Sequence, residues 1–76
     1  MNYGILKYQR IKDLREDNDL TQHEVANFLN IKQNTYSRYE REERGMPIEV
    51  LIKLAKYYGT STDYLLGLTD NKKPIA

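Results

Sequence analysis

The chain has 76 residues, no cysteine and one histidine. That leaves room for one small domain and excludes disulfide scaffolds, thiolate metal sites and a zinc centre. Charged residues make up 30% and hydrophobic ones 39%, a globular balance, while the net charge of +1 counts against a protein that grips nucleic acid by bulk positive charge. No apolar run is long enough to span a membrane, and Met1-Asn2-Tyr3-Gly4 carries no signal-peptide pattern, so a cytoplasmic location is expected.

Helical periodicity dominates the chain, with no convincing alternation and no Asn-Gly or Asp-Gly hairpin signal. The first helix is expected from about Ile5 to Asp17, with Tyr8, Ile11, Leu14 and Arg15 on one stripe and Asn18-Asp19 ending it. Thr21-Gln22-His23-Glu24 then reads as a capping box that opens a second helix. Its apolar face is Val25, Ala26 and Leu29 with Phe28 beside it, and Asn30 suits a left-handed exit.

After a turn at Ile31 and Lys32, a third helix is expected from about Gln33 to about Arg41. Tyr36, Tyr39 and Glu40 share one side of it; Asn34, Ser37, Arg38 and Arg41 share the other. A charged loop from Glu42 to Met46 contains Gly45, and Pro47 suits the first turn of a fourth helix. That helix has Ile48, Leu51, Leu54, Ala55 and Tyr58 as its inward stripe and Gly59 as its stop. Ser61 can cap a short last helix, Thr62 to Leu66, before Gly67. The organisation expected is a domain over 1–69 and a polar, frayed tail over 70–76 containing Pro74.

Catalysis finds little support. The pairs Glu42-Glu43 and Asp17-Asp19 lie in loops of a chain too small to offer a pocket that shifts their pKa values. His23 is expected to be an exposed helix residue, and no phosphate loop or nucleophile motif is present. No cofactor or small-molecule ligand is evident. The tyrosines at 36, 39, 57, 58 and 64 read as core and rim rather than as a stacking platform for single strands.

The helix–turn–helix from about 21 to 41 is the most informative feature. An α-helix fits the major groove of B-DNA, where Gln33 and Asn34 could pair with adenine, Arg38 with guanine, and Ser37 could donate or accept. From spacing alone, a solvated polar face is an equal alternative.

The ordered set Leu14-Arg15, Leu20-Thr21-Gln22, Glu24-Val25-Ala26, Ile31, Tyr36-Ser37-Arg38-Tyr39-Glu40, Pro47, Leu51-Ile52-Lys53-Leu54-Ala55 and Asp63-Tyr64-Leu65-Leu66-Gly67 resembles the phage repressor and Cro-type (XRE-type) helix-turn-helix regulators over about three quarters of the chain. The resemblance implies an all-α, compact, five-helix lambda-repressor-like fold and a sequence-specific, double-stranded DNA-binding transcription regulator, such as a repressor, of bacterial or phage type. It assigns base reading to Gln33, Asn34, Ser37 and Arg38. Backbone contacts fall to Thr21, Gln22, Lys32, Thr35, Arg41 and Arg44. It also implies a salt bridge between Arg15 and Glu40, against the alternative that each side chain reaches water independently. A homodimer on a near-palindromic operator follows from the same resemblance, with Leu66, Leu68 and Ile75 as a candidate apolar surface or as internal packing. An antitoxin or another protein-interaction module on the same fold is the rival reading.

Three positions depart from the pattern. Asn30 stands where glycine is frequent, Lys32 where a serine or threonine often caps the third helix, and Glu42 where glycine often follows. The last leaves the exit of the third helix open, with continuation into Glu42 one outcome. If Arg15 takes up Glu40, this segment presents Lys32, Arg38, Arg41 and Arg44 against Glu42 and Glu43. That distribution implies weak non-specific affinity and modest salt dependence.

Overall fold

A computed structural model describes residues 8–73, and within them the chain forms five helices and no strand. These are α1 (Gln9–Asp17), α2 (Gln22–Leu29), α3 (Gln33–Glu40), α4 (Ile48–Tyr58) and α5 (Thr62–Leu65). The expected start of the first helix at Ile5 lies outside the described residues; the helix is seen from Gln9. α2 packs chiefly on α3, α1 on α3 and α5, and α4 on α5.

The core is one cluster fed by every helix. Ile11, Leu14, Val25, Ala26, Leu29, Tyr36, Tyr39, Leu51, Leu54, Ala55 and Leu65 are all buried. Each fully buried aliphatic side chain such as Leu54 contributes about 1.5–3 kcal/mol relative to exposure. Ala26 is small enough to let α2 and α3 approach closely. Ile48 departs from the expected inward stripe: it is 66% exposed, because it shares with Ile52 the edge of α4 beyond Leu51, Leu54 and Ala55. Pro47 stands one residue earlier than expected, as the N-cap, since its extended ψ of 151° delays the first helical turn to Ile48. Phe28 is half-exposed and stacks on Tyr57 with ring centroids 4.1 Å apart.

The helix starts follow the sequence. Thr21 Oγ1 accepts the Glu24 N–H at 3.1 Å, and the Glu24 carboxylate accepts the Thr21 N–H at 2.8 Å. Those bonds lower the Glu24 carboxyl's pKa. Ser61 Oγ likewise accepts from the Tyr64 N–H at 3.0 Å, whereas Lys32 offers α3 no side-chain cap.

The helix ends share one device. Each helix is followed by a residue with positive φ: Asp19, Asn30, Glu42, Gly59 and Gly67. The residue after it turns its N–H back to a carbonyl of the last turn, as in Leu20 to Arg15, Ile31 to Ala26 and Glu43 to Arg38. Thr60 to Ala55 and Leu68 to Asp63 complete the set. This is the Schellman closure, which satisfies carbonyls that would otherwise lack partners. Glycine takes this conformation freely and asparagine or aspartate tolerates it, but glutamate at φ +59° is strained. α3 therefore does not run on into Glu42; it ends at Glu40, with Arg41 as its cap.

Asp70 and Lys72, in the tail expected to fray over 70–76, are tied to the body, and residues 74–76 lie outside the described residues. Arg10 Nη1 donates to the Tyr64 carbonyl at 2.9 Å and to the Thr69 carbonyl, and Arg10 Nη2 pairs with Asp70 at 2.7 Å. The Arg10 guanidinium also lies 4.2 Å from the centre of the Tyr64 ring. The buried Thr60 hydroxyl donates to the Lys72 carbonyl. No local pattern marks Arg10 for this role, because its partners lie more than fifty residues away along the chain.

Arg15 and Glu40 do meet. Arg15 Nε donates to Glu40 Oε2 at 2.7 Å and Nη2 to Oε1 at 3.1 Å. Tyr36 Oη donates to Oε2 at 2.5 Å, and Gln22 Nε2 to Oε1 at 3.0 Å. Arg15 Nη1 closes the cluster on the Leu20 carbonyl at 3.0 Å. The Glu40 side chain is 3% exposed and that of Arg15 12%. Burial pushes the Glu40 carboxyl upward. The hydrogen bonds from Arg15, Tyr36 and Gln22, with the Arg15 charge, outweigh it and hold the group below its usual range. Burial and the bond to Glu40 raise the Tyr36 phenol.

Removing Glu40 strands a buried guanidinium, so Glu40→Ala is expected to destabilise the fold by about 3–5 kcal/mol; a loss no larger than that of a surface Glu→Ala in urea melts would contradict the cluster. The folded carboxyl is depressed below its unfolded value, so its stabilisation is present above the unfolded pKa of about 4.3 and is lost as pH falls through the folded value. Stability of the native chain between about pH 5 and 3 should therefore fall more steeply than that of Glu40→Gln. At the strained exit, Glu42→Gly is expected to be about 1 kcal/mol more stable than Glu42→Ala, since only the backbone distinguishes them at φ +59°. Equal melting midpoints would remove the strain.

Candidate nucleic-acid interface

α2, the turn at 30–32 and α3 build the surface. α3 is only eight residues long, too short to be a stable helix alone. Its inner side is fixed by buried Tyr36, Tyr39 and Glu40. Its outer side is thereby set at a defined angle to the body. Gln33, Asn34 and Arg38 are exposed there, and Ser37 and Thr35 are half-buried. The four positions expected to read bases thus lie on one helix, with Ser37 the most recessed.

The expected backbone positions surround this face unevenly. Lys32 is exposed just before α3, where its cation stands near the helix N-terminus. Arg44 is exposed in the loop after it. Thr21 and Gln22 open α2, whose first N–H groups lack intrahelical partners and suit an anion. The Thr21 hydroxyl is already engaged as the cap acceptor. The Gln22 amide donates to Glu40, so the cluster that anchors α3 also orients the first side chain of α2. That second link has no local signature, because Gln22 and Glu40 come together only when α2 and α3 pack.

Arg41 is committed more fully than expected. Its Nε and Nη2 form a fork on Glu43 Oε2 and Oε1, at 2.8 and 3.2 Å, and its Nη1 donates to Ser37 Oγ at 2.6 Å. The bond to Glu43 holds the Arg41 proton more tightly and lowers the Glu43 carboxyl. Glu43, counted in the sequence as negative charge set against the cations of this segment, is thus paired with one of them. The left-handed turn at Glu42 brings it back over Arg41, and that turn was the feature the sequence left open.

His23 is exposed, with its Nε2 3.3 Å from the Asn27 amide nitrogen. Among the described residues no group of histidine, aspartate and glutamate could hold a metal ion, and no helix is long and apolar enough to cross a membrane.

Comparison with known proteins places this geometry in a family. A family model described as helix-turn-helix matches residues 11–65. YobD, an uncharacterised HTH-type transcriptional regulator of Bacillus subtilis (strain 168), is 39% identical over 66 residues, 87% of this chain and 59% of its own length. The HTH-type transcriptional regulator ImmR of the same organism is 43% identical over 65 residues, 86% of this chain and 51% of its own length. The cryptic phage CTXphi transcriptional repressor RstR of Vibrio cholerae is 46% identical over 50 residues, 66% of this chain and 45% of its own length. The chain thus spans about half the length of these relatives. No solved structure gives a significant match. The match over the two helices and their supporting core, together with these relatives, shows that the chain belongs to the helix-turn-helix family of phage-repressor and Cro-type (XRE-type) regulators.

Proposed function

We propose that the chain is a sequence-specific, double-stranded DNA-binding module of a transcriptional regulator, with α3 lying in the major groove. The observation that carries this reading is the polar face of α3: Gln33, Asn34 and Arg38 point to solvent from a helix whose other face is locked by Glu40. Bidentate side chains discriminate bases only when the helix presenting them is held at a fixed angle. That ImmR is named as an HTH-type transcriptional regulator of a bacterium and RstR as a phage transcriptional repressor supports a regulatory role of bacterial or phage type.

In this reading Gln33, Asn34, Ser37 and Arg38 meet base edges. Lys32, Thr35, Arg41 and Arg44 meet phosphates beside α3, and Thr21 and Gln22 bring the N-terminus of α2 to the backbone. Two such modules, with recognition helices about 34 Å apart, would read a near-palindromic site as a homodimer. Leu68, 72% exposed, is the available apolar residue of the expected dimer surface; Leu66 packs against the core, and Ile75 lies outside the described residues.

Selection from a random duplex pool at stated salt tests the whole reading: enrichment of one near-palindromic motif is expected, and recovery of unselected sequence would end it. Once the motif is known, Arg38→Ala should weaken binding by about 1–3 kcal/mol and relax preference at one or two base pairs, whereas Arg44→Ala should weaken all sequences alike and flatten the salt slope by about one. An unchanged base preference in the first variant would remove Arg38 from readout.

A further inference from the structure

The loop after α3 holds a contact that the DNA-binding reading does not by itself require. Arg41 stands where a phosphate would be met, yet both nitrogens of one edge of its guanidinium are already paired with the two oxygens of Glu43. A guanidinium edge fits a carboxylate and a phosphate by the same two parallel N–H···O bonds. A phosphate that takes this edge must displace the Glu43 carboxylate. The third contact, Arg41 Nη1 to Ser37 Oγ, holds the guanidinium against α3, so Arg41 cannot simply swing to a second anion while keeping Glu43.

Glu43 is placed there by the backbone rather than by chance rotation. Its N–H is bonded to the Arg38 carbonyl at 2.9 Å, and the preceding Glu42 N–H to the Tyr39 carbonyl at 3.1 Å. With Glu42 in the left-handed conformation, these bonds reverse the chain and return the Glu43 side chain to the helix end it has just left. The lowered Glu43 pKa and the raised Arg41 pKa have each other as their first cause. Both side chains are about half-exposed, so the fork is open to an incoming strand.

Resting on the DNA-binding reading above, we propose that Glu43 is a built-in competitor for the phosphate site on Arg41, and that the chain docks on DNA by exchanging this carboxylate for a backbone phosphate. The exchange opposes binding to every duplex alike, because it involves no base. It also leaves the freed Glu43 carboxylate beside the strand, so one fewer net positive charge faces the phosphates. Affinity for random DNA is held down, and residence comes to depend on the base contacts of α3.

The test is a double-mutant cycle on the full chain, with a random-sequence duplex titrated over a range of salt. The four proteins are the native chain, Glu43→Gln, Arg41→Gln and the two combined; thermal melts check that each is folded. Glu43→Gln should tighten binding about two- to fivefold, the range open to a surface ion pair, and steepen the salt slope by about one. The gain should be at least halved when Arg41 is also glutamine. Equal gains in both backgrounds would reduce Glu43 to through-space repulsion and overturn the exchange, as would no gain at all.

A DNA-free measurement separates the two levels of the proposal. The ¹⁵N-correlated Nε–H signal of Arg41 should shift on Glu43→Gln in the free chain. If that signal does not move while the native chain binds DNA, the fork is absent and the exchange falls, with the DNA-binding reading intact. If the signal moves but no chain binds duplex even at low salt, the DNA-binding reading fails and takes the exchange with it.

Discussion

A carboxylate buried in an apolar interior must have donors for its oxygens or give up its charge. Glu40 meets that requirement with four hydrogen bonds, from Arg15 on α1, Gln22 on α2 and its own helix neighbour Tyr36. Three helices are thereby fixed to one group. The arrangement is not an efficient source of stability, since an apolar replacement of the same shape often serves as well. What it supplies is direction. The bonds are satisfied at one relative placement of α1, α2 and α3, whereas an aliphatic contact tolerates sliding. An eight-residue helix that must present its outer face at a set angle is where such directionality matters most.

The same economy of length appears in the helix ends. A short chain can bury a core only if its helices turn back quickly, and left-handed residues make each exit abrupt. At Asn30 the device keeps the turn of the helix–turn–helix tight and lays α3 across α2. At Gly59 it turns the chain from α4 into α5, and at Gly67 it redirects the chain beyond α5. Glu42 uses the same closure with a less suitable residue. The strain there accompanies an altered local charge pattern, because the reversal carries Glu43 to Arg41. Backbone geometry and surface electrostatics are coupled at that point.

The near-neutral total charge becomes intelligible at this level. A net charge of +1 does not describe what a partner meets. Glu40 is hidden against Arg15, Glu24 serves as a cap and Glu43 is forked on Arg41. Arg38, Lys32 and Arg44 remain exposed on or beside α3. The surface at the candidate interface is therefore more positive than the composition, though not so positive that charge alone would hold DNA.

The sequence by itself determined the helices and most of their boundaries. Capping at Thr21 and Ser61, exits at Asn30, Gly59 and Gly67, and the inward stripes are local patterns, and local backbone chemistry fixes them. The pairing of Arg15 with Glu40 was implied by the family resemblance, and the two do meet. Only the tertiary structure decided what depends on distant residues meeting. Gln22 joins Glu40, Arg10 holds the chain at Tyr64, Thr69 and Asp70, and Ile48 falls outside the core. It also decided the exit at Glu42, which the local pattern left open and which closes with a left-handed residue. Local sequence carries the energies of one turn of helix; which side chain completes another's hydrogen bonds is settled when the helices dock.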